Sequence, residues 1–251
     1  CPNPSLRIFP IKEVADIGRR HGIPLIIDNT AAPVICRPLE HGAAVVMHSL
    51  TKYIGGHGTT IGGIIVDGGN FDWAANPKKQ PLFNEPDPSY NGAIWGRDVP
   101  KMTGANVAFA IRARVVLLRD LGAPLSPFNA FQIIQGLETV AIRMKQHCAN
   151  AEKVVKFLET QKKVKNVIYP TTHQGEIRDR AKRYMNGGYG SLVGMDLGSL
   201  EAGSKFINNL KLLYHVANIG DARSLAIHPA STTHGQLNEK QLAEAGVTPG
   251  Y

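Results

Sequence analysis

The chain has 251 residues, of which 43% are hydrophobic and 19% charged, so it can bury the core of one large domain or of one and a half. It contains no apolar run near the roughly 18 residues that cross a bilayer, and its start lacks a signal-peptide pattern, so we expect no membrane partner. The net charge is +8, but the basic clusters at 161–165 and 178–183 lack interleaved aromatics, so we expect no nucleic-acid partner; anionic substrates or cofactors suit the charge equally well.

The cysteines are odd in number and widely spaced. They are Cys1, Cys36 and Cys148. This pattern favours reduced thiols in a cytoplasmic protein over a disulfide framework.

The first part of the chain alternates a helix with apolar strands. Pro10 begins a predicted helix that ends at Gly22. Apolar runs then predict strands at 24–28, 44–48 and 62–66. These runs do not alternate with polar residues, as expected where a sheet is covered on both faces. The order indicates an α/β architecture.

An insertion at 67–99 interrupts this rhythm with aromatic residues, proline, glycine and aspartate. Loops of this length inside a domain are usually functional or disordered. The aromatic content favours an ordered loop, which we expect to pack against a neighbouring subunit. A helical pattern returns at 103–120.

A long amphipathic pattern at 129–160 predicts one helix that joins two units. Beyond it, the pattern predicts strands at 164–169, 192–197 and 212–216 and helices at 177–184 and 201–210. We therefore divide the chain into the later part of a large domain, residues 1–147, and a smaller C-terminal α+β domain, residues 148–251.

The residues with the most chemical information are Ser49-Leu50-Thr51-Lys52 and Asp28, which each follow an apolar run. A lysine amine can form a Schiff base with the aldehyde of pyridoxal 5'-phosphate, and an acid can keep the pyridine nitrogen protonated. Ser49 and Thr51 flank the lysine with hydroxyls that suit a phosphate. The alternative is a surface lysine beside a helix-capping residue, with an aspartate at a strand end.

Several longer motifs resemble the Cys/Met-metabolism pyridoxal phosphate enzymes, which are fold-type I proteins similar to aspartate aminotransferase. The matching motifs are Asp28-Asn29-Thr30, residues 49–57, Gly136-Leu137-Glu138-Thr139 with Arg143-Met144, and residues 224–234. The resemblance implies a mostly parallel sheet in the large domain. The aromatic insertion resembles that of the O-acetylhomoserine sulfhydrylase branch.

The resemblance also implies roles for individual residues. Lys52 would carry the cofactor and then move protons, and Asp28 would pair with the pyridinium nitrogen. Ser49 and Thr51 would bind the phosphate, and Asn3 would donate a hydrogen bond to the phenolic oxygen of the cofactor.

The resemblance places Ser224 near the substrate carboxylate, although turn or helix-cap duty is its alternative. Arg223 could bind a carboxylate, but the family uses a later arginine for this purpose. His228 and His234 lie six residues apart without a further ligand at metal-binding spacing, so we predict polar packing and no metal site.

The activity implied by the resemblance is γ-replacement, in which O-acetyl-L-homoserine and sulfide give L-homocysteine and acetate, a step of methionine biosynthesis. Alternatives are a γ-lyase such as methionine γ-lyase, a synthase of the cystathionine γ-synthase type, or a non-catalytic fragment or interaction module. The resemblance further implies a homotetramer, a dimer of dimers with shared active sites. Measured against the family, we expect the chain to be truncated at both ends.

Overall fold

The computed structural model describes residues 4–251, without the side chain of Glu239. The helices are α1 (Ile11–Arg20), α2 (Pro81–Asn84), α3 (Trp95–Thr103), α4 (Ala108–Arg112), α5 (Pro127–Glu159), α6 (Gly175–Tyr184), α7 (Leu200–Asn208) and α8 (Glu239–Glu244). The strands are β1 (Ile26–Asp28), β2 (Val45–Ser49), β3 (Gly63–Asp67), β4 (Asn166–Ile168), β5 (Gly194–Asp196), β6 (Tyr214–His215) and β7 (Leu225–Ala226). Short 3₁₀ turns lie at Pro38–His41, Pro88–Tyr90 and Pro229–Ser231.

The first three strands form one sheet in the order β1-β2-β3. β1 and β2 are parallel, with Asp28 opposite Met47, whereas β3 is antiparallel to β2 and places Gly63 opposite Ser49. The strands at 24–28, 44–48 and 62–66 were therefore predicted to within two residues. The sheet within the described residues is mixed, because it has one parallel and one antiparallel pair.

β2 leads directly into a single π-helical turn, Leu50–Ile54, which we call the lysine turn. Lys52 at its centre has φ −90° and ψ −126°, outside the helical region. Leu50, Tyr53 and Ile54 are buried. The apolar members of the turn therefore hold it against the core, while Lys52 departs from the helical path.

The 67–99 insertion is ordered around Trp73, which is almost fully buried. Its ring lies 4.9 Å from that of Phe71, 4.5 Å from Phe83 and 5.3 Å from Phe109 between centroids. Aromatic pairs at such spacings stabilise a core beyond their buried area. The prediction of an ordered loop is confirmed, and packing against a neighbouring subunit stays a prediction.

The predicted helix at 103–120 differs in the structure. α3 already ends at Thr103, because Gly104 takes a left-handed conformation with φ +73°. A new helix, α4, starts at Ala108 and continues as a π-helical stretch, Ala113–Arg119.

α5 is the long helix that the sequence predicts. The Ser126 hydroxyl accepts a hydrogen bond from the amide of Asn129 at 3.1 Å, and Pro127 occupies the first turn, so both start signals are present. The helix is continuous across residues 147 and 148, where we divided the chain. That division stays a prediction.

The residues after α5 form small sheets. β4 pairs antiparallel with β5, and β6 pairs parallel with β7. The predicted elements at 164–169, 177–184, 192–197 and 201–210 all occur with shifted ends, whereas the strand at 212–216 is reduced to β6. β7 and α8 were not predicted; α8 begins with a capping box between Asn238 and Gln241.

Candidate active site

The ends of β1 and β2 bring Asp28 and Ser49 to one edge of the sheet, because the two strands are parallel. Thr30 links them. Its amide donates to Asp28 Oδ1 at 2.9 Å, and its Oγ1 accepts from the amide of Ser49 at 2.7 Å. The second carboxylate oxygen of Asp28 has no hydrogen-bond donor within residues 4–251, and Asp28 is exposed, so this oxygen is open to a ligand.

Lys52 lies three residues beyond the end of β2 and is half-buried. Its Nζ donates to Oδ1 of Asn218 at 3.2 Å. No acidic side chain among the described residues pairs with it. A lysine held by one neutral acceptor keeps its amine available for chemistry.

The hydroxyls on either side of Lys52 differ in their surroundings. Thr51 Oγ1 accepts from the amide of Gly62 at 3.1 Å. The Ser49 hydroxyl has no hydrogen-bond partner in the part of the chain that the structure describes, and Ser49 is half-buried. Ser49 is therefore the freer of the two for a phosphate oxygen.

Arg143 of α5 donates hydrogen bonds to two carbonyl oxygens of the lysine turn. Nη1 donates to the carbonyl oxygen of Tyr53 at 2.6 Å, and Nη2 donates to that of Ile54 at 2.9 Å and to that of Gly136 at 2.7 Å. Burial lowers the pKa of Arg143. The guanidinium satisfies carbonyl groups that the short turn leaves without helical partners.

Gly136 lets α5 approach this turn closely. A Cβ at this position would meet the carbonyl oxygens of Gly55 and Ile54. The sequence therefore needs glycine here for a backbone contact, rather than for a flexible helix.

A loop between β6 and β7, residues 218–224, also packs against the lysine turn. The amide of Ala222 donates to the carbonyl oxygen of Gly56 at 2.8 Å. Gly220 has φ +82°, and a Cβ on it would meet Tyr53. The loop thereby brings Asn218 to Lys52 from 166 residues away.

Two further polar atoms are buried without a hydrogen-bond partner within the described residues: Nδ1 of His48, which directly precedes Ser49, and Oγ1 of Thr60, three residues before β3. Burial lowers the pKa of His48, while the negative charge of Asp28 opposes this shift. Burial of a polar group without a hydrogen-bond partner costs desolvation free energy. Such groups are found where a ligand supplies the missing hydrogen bond.

The structure places the other predicted site residues as follows. Asn3 lies outside the described residues. Ser224 is exposed on the 218–224 loop, and its carbonyl oxygen accepts from the amide of Tyr214 at 3.0 Å. Arg223 binds Asp221, with 2.9 Å between Nη2 and Oδ2.

The two histidines considered as a metal site have separate surroundings. His228 is buried, with Nδ1 2.8 Å from the Ser231 hydroxyl and Nε2 2.9 Å from the carbonyl oxygen of Pro249. His234 contacts the neighbouring Thr233. Among residues 4–251, no group of three or more His, Cys, Asp or Glu side chains is arranged to hold a metal.

Sequence reasoning missed two residues that contact the lysine turn, Asn218 and Arg143. Arg143 was part of a recognised motif, but nothing in its spacing assigned it to the carbonyl groups of residues 53 and 54. A signal for Asn218 was present in Asn218-Ile219-Gly220-Asp221, a polar turn with glycine beside the recognised 224–234 segment.

The family model for Cys/Met metabolism PLP-dependent enzymes matches residues 1–251 of the chain. The chain belongs to this family. The resemblance inferred from the motifs and the cofactor class are therefore confirmed. No helix in the described part of the chain has both the length and the apolar character that a membrane crossing requires.

Individual relatives agree with this assignment. The chain is 49% identical to the O-acetyl-L-homoserine sulfhydrylase of Leptospira meyeri over 99% of its own length and 57% of that protein. It is 43% identical to the homocysteine synthase of Schizosaccharomyces pombe over 98% of its own length and 57% of that protein. The chain thus spans little more than half the length of these curated relatives.

A solved structure is also similar. It is a Campylobacter jejuni protein assigned as an O-acetylhomoserine (thiol)-lyase, with a TM-score of 0.88 and 38% identity, covering 99% of this chain and 58% of that one. That structure contains N'-pyridoxyl-lysine-5'-monophosphate. The likeness is consistent with the expected fold type I.

The residues at the sheet edge fit pyridoxal phosphate. Among the described residues, Lys52 offers an amine without an ionic partner, Asp28 offers an open carboxylate oxygen, and Ser49 offers an open hydroxyl. His48, whose buried Nδ1 has no hydrogen-bond partner within residues 4–251, directly precedes Ser49. These groups match the aldehyde, the ring nitrogen and the phosphate of the cofactor.

Proposed function

We propose that the protein containing this chain catalyses γ-replacement, converting O-acetyl-L-homoserine and sulfide to L-homocysteine and acetate. The relatives named as O-acetyl-L-homoserine sulfhydrylase and homocysteine synthase support this activity. The single structural observation that carries the proposal is Lys52. Its half-buried amine follows β2, the strand that pairs in parallel with the strand ending at Asp28, and Asn218 is its one hydrogen-bond partner in the described chain.

Each site residue has a proposed role. Lys52 would hold the cofactor through its aldehyde, and its amine would move protons at Cα and Cβ of the substrate. Asp28 would accept a hydrogen bond from the pyridinium nitrogen and keep it protonated, because a nearby opposite charge raises the pKa of that nitrogen. The bound cofactor supplies an electron sink for the negative charge at Cα.

The hydroxyls of Ser49 and Thr51 bind the phosphate in this proposal, with Asn3 on the phenolic oxygen and Ser224 on the substrate side. Ser49 is the stronger phosphate candidate, since Thr51 is already bonded to Gly62. We expect Ser49→Ala to weaken cofactor affinity by about tenfold, as for loss of one hydrogen bond to a charged group, and Thr51→Val to weaken it less. Titration of the apo protein with pyridoxal phosphate measures both.

The test of the cofactor role uses the protein at the full length that its gene encodes. Borohydride reduction followed by peptide mass spectrometry should find the pyridoxyl group on Lys52. The visible absorbance of the holoenzyme should disappear in Lys52→Ala. Lys145→Ala is the control, because Lys145 is an exposed lysine of α5.

Product analysis tests the reaction. With O-acetyl-L-homoserine and sulfide, we expect homocysteine and acetate in equal amounts. Cystathionine formed with cysteine would favour the cystathionine γ-synthase type of activity, and α-ketobutyrate formed without a sulfur donor would favour the γ-lyase. A full-length protein without visible absorbance would favour the non-catalytic alternative.

We also propose that the protein is a homotetramer and that it resides in the cytoplasm. Phe128, Phe131 and Ile134 of α5 are each more than half exposed, so another segment or another copy of the protein can cover them. Cys36 and Cys148 are free thiols, which suits a reducing compartment. Light scattering coupled to size-exclusion chromatography measures the assembly, and a monomer would contradict it.

A further inference from the structure

Asp221 does not contact Lys52 directly. It is linked to Lys52 through one intervening residue, Asn218, which hydrogen-bonds to both. Lys52 Nζ donates to Asn218 Oδ1 at 3.2 Å, and Asn218 Nδ2 donates to Asp221 Oδ2 at 3.1 Å. Asp221 is 1% exposed in its side chain. The proposed function uses Lys52 but assigns nothing to this aspartate.

Asp221 is itself fixed by Arg223. The guanidinium donates from Nε to Oδ1 at 3.0 Å and from Nη2 to Oδ2 at 2.9 Å, and the amide of Arg223 donates to Oδ1 at 2.9 Å. Arg223 also lies over the ring of Tyr214, 5.5 Å from its centroid. The hydrogen bonds from Arg223 hold the pKa of Asp221 well below its usual range, so the group is a carboxylate.

A carboxylate can only accept hydrogen bonds. It therefore fixes the orientation of the Asn218 amide, whose NH₂ must face Asp221 and whose oxygen must face Lys52. With the amide reversed, the Asn218 oxygen would meet the carboxylate of Asp221, so that two acceptors would face each other. The oxygen would also no longer accept the hydrogen bond from Lys52 Nζ.

We propose that Asp221 is a positioning residue, which fixes the Asn218 amide so that its oxygen holds the free amine of Lys52. The inference rests on the proposed function, because it concerns the amine that binds the cofactor. Asp221 does not exchange a proton with Lys52, since Asn218 lies between them and Asp221 already accepts four hydrogen bonds. Its effect is to restrict the directions that the long lysine side chain can take.

The 218–224 loop is suited to this task because its backbone is tied to the same turn. Ala222 donates to Gly56, and Gly220 lies against Tyr53, the residue after Lys52. Movement of the amide relative to Lys52 is therefore limited to rotation of the Asn218 side chain. Asp221 removes that rotation.

The experiment is a double-mutant cycle with Asn218→Ala and Asp221→Asn in the full-length protein. The measured quantity is the rate at which added pyridoxal phosphate attaches to Lys52 in the apo protein, followed by absorbance and verified by mass spectrometry. We expect Asp221→Asn to slow attachment about tenfold, since a fixed hydrogen bond to a charged group is lost. In the Asn218→Ala background, Asp221→Asn should have no further effect on this rate.

The turnover of the holoenzyme gives a second readout. Asp221→Asn should lower kcat and leave KM for O-acetyl-L-homoserine near the wild-type value. Asp98→Asn is the matched control, because Asp98 also accepts two hydrogen bonds from one arginine, Arg97, but lies outside the site. It should leave both rates unchanged.

The outcomes separate the two proposals. If wild-type protein does not take up pyridoxal phosphate on Lys52, the proposed function fails. If wild-type protein takes it up and Asp221→Asn matches its rate, or slows attachment equally with and without Asn218, the positioning role of Asp221 is overturned. Measurement of unfolding identifies a variant that has lost its fold. In that case Asp221→Glu, which keeps the charge, provides the second test: pyridoxal phosphate should attach to Lys52 faster in Asp221→Glu than in Asp221→Asn.

Discussion

Arg143 Nη1 donates a 2.6 Å hydrogen bond to the carbonyl oxygen of Tyr53, the residue that follows Lys52. Nη2 donates hydrogen bonds to the carbonyl oxygens of Ile54 and Gly136. One guanidinium thus joins the first half of α5 to the turn that carries the proposed cofactor lysine. Arg143 is 90 positions from Tyr53 and therefore 91 positions from Lys52. The position of Lys52 thus depends on a residue that is distant in sequence.

We expect Arg143→Lys to lower the free energy of unfolding by about 2 kcal/mol, because an ammonium cannot bind these three carbonyl oxygens in the same fork. Pyridoxal phosphate should also attach more slowly to Lys52. Urea unfolding and visible absorbance measure the two effects. Lys145→Arg, on the exposed side of the same helix, is the control. Wild-type stability in Arg143→Lys would contradict the role given to the fork.

Gly136→Ala should be strongly destabilising although alanine favours helices. The added Cβ would overlap the backbone carbonyl oxygens of Ile54 and Gly55, which cannot rotate away. Overpacking of this kind costs about 1–3 kcal/mol. Gln135→Ala is exposed one position earlier in α5 and should be close to neutral in the same thermal unfolding experiment. Equal melting temperatures for the two variants would show that the turn can move away from α5.

Thr30→Val should loosen the strand ends that carry Asp28 and Ser49. Valine keeps the shape of threonine but cannot accept the hydrogen bond from the Ser49 amide. We expect a loss of about 1 kcal/mol in unfolding free energy and weaker cofactor binding. Thr30→Ser keeps the hydroxyl and should restore cofactor affinity. The two variants are compared by titration of the apo protein, and equal affinities would exclude a role for this hydroxyl.

His147→Phe should make stability less dependent on pH. The His147 ring lies edge-on to Tyr53 with 5.7 Å between centroids, and its Nε2 is buried without a hydrogen-bond partner in the part of the chain that the structure describes. Burial, followed by the positive charge of Arg143, lowers the pKa of His147, while the charge of Asp221 opposes this.

The unfolded chain consequently binds a proton at His147 more readily than the folded chain does. Folding stability is lost as the pH falls below the unfolded pKa of about 6.5, and it is regained as the pH rises. Phenylalanine keeps the ring contact and removes this contribution. Urea unfolding at pH 7 and pH 5 should therefore give a smaller difference for His147→Phe than for the wild type. An identical difference would contradict the assignment.

The sequence predicted the elements whose patterns are local. α5 was predicted to within two residues because its start signals and apolar positions all agree. The helix at 103–120 was predicted with its start five residues too early, because the left-handed Gly104 ends α3 and the next helix begins at Ala108. Periodicity reports which face is buried, but not where one glycine redirects the backbone.

The same limit applies to the site. Asp28, Ser49 and Lys52 could be grouped from sequence, because parallel strands bring their carboxyl ends to one edge. Asn218 could not, because its contact with Lys52 joins residues 166 positions apart. The motif that carried the family resemblance, residues 224–234, begins six residues after Asn218 and does not include it.

The uninterrupted course of α5 has a mechanical consequence. With 33 residues it is a rod about 50 Å long. In its first half and at its middle it touches the turn of Lys52 through Gly136 and Arg143, and towards its end Ala151 and Val155 share an apolar cluster with Val167 of β4. Because a continuous helix transmits displacement along its axis, a shift of β4 that carried α5 along would also shift the turn that carries Lys52, so these two distant parts of the fold are mechanically coupled.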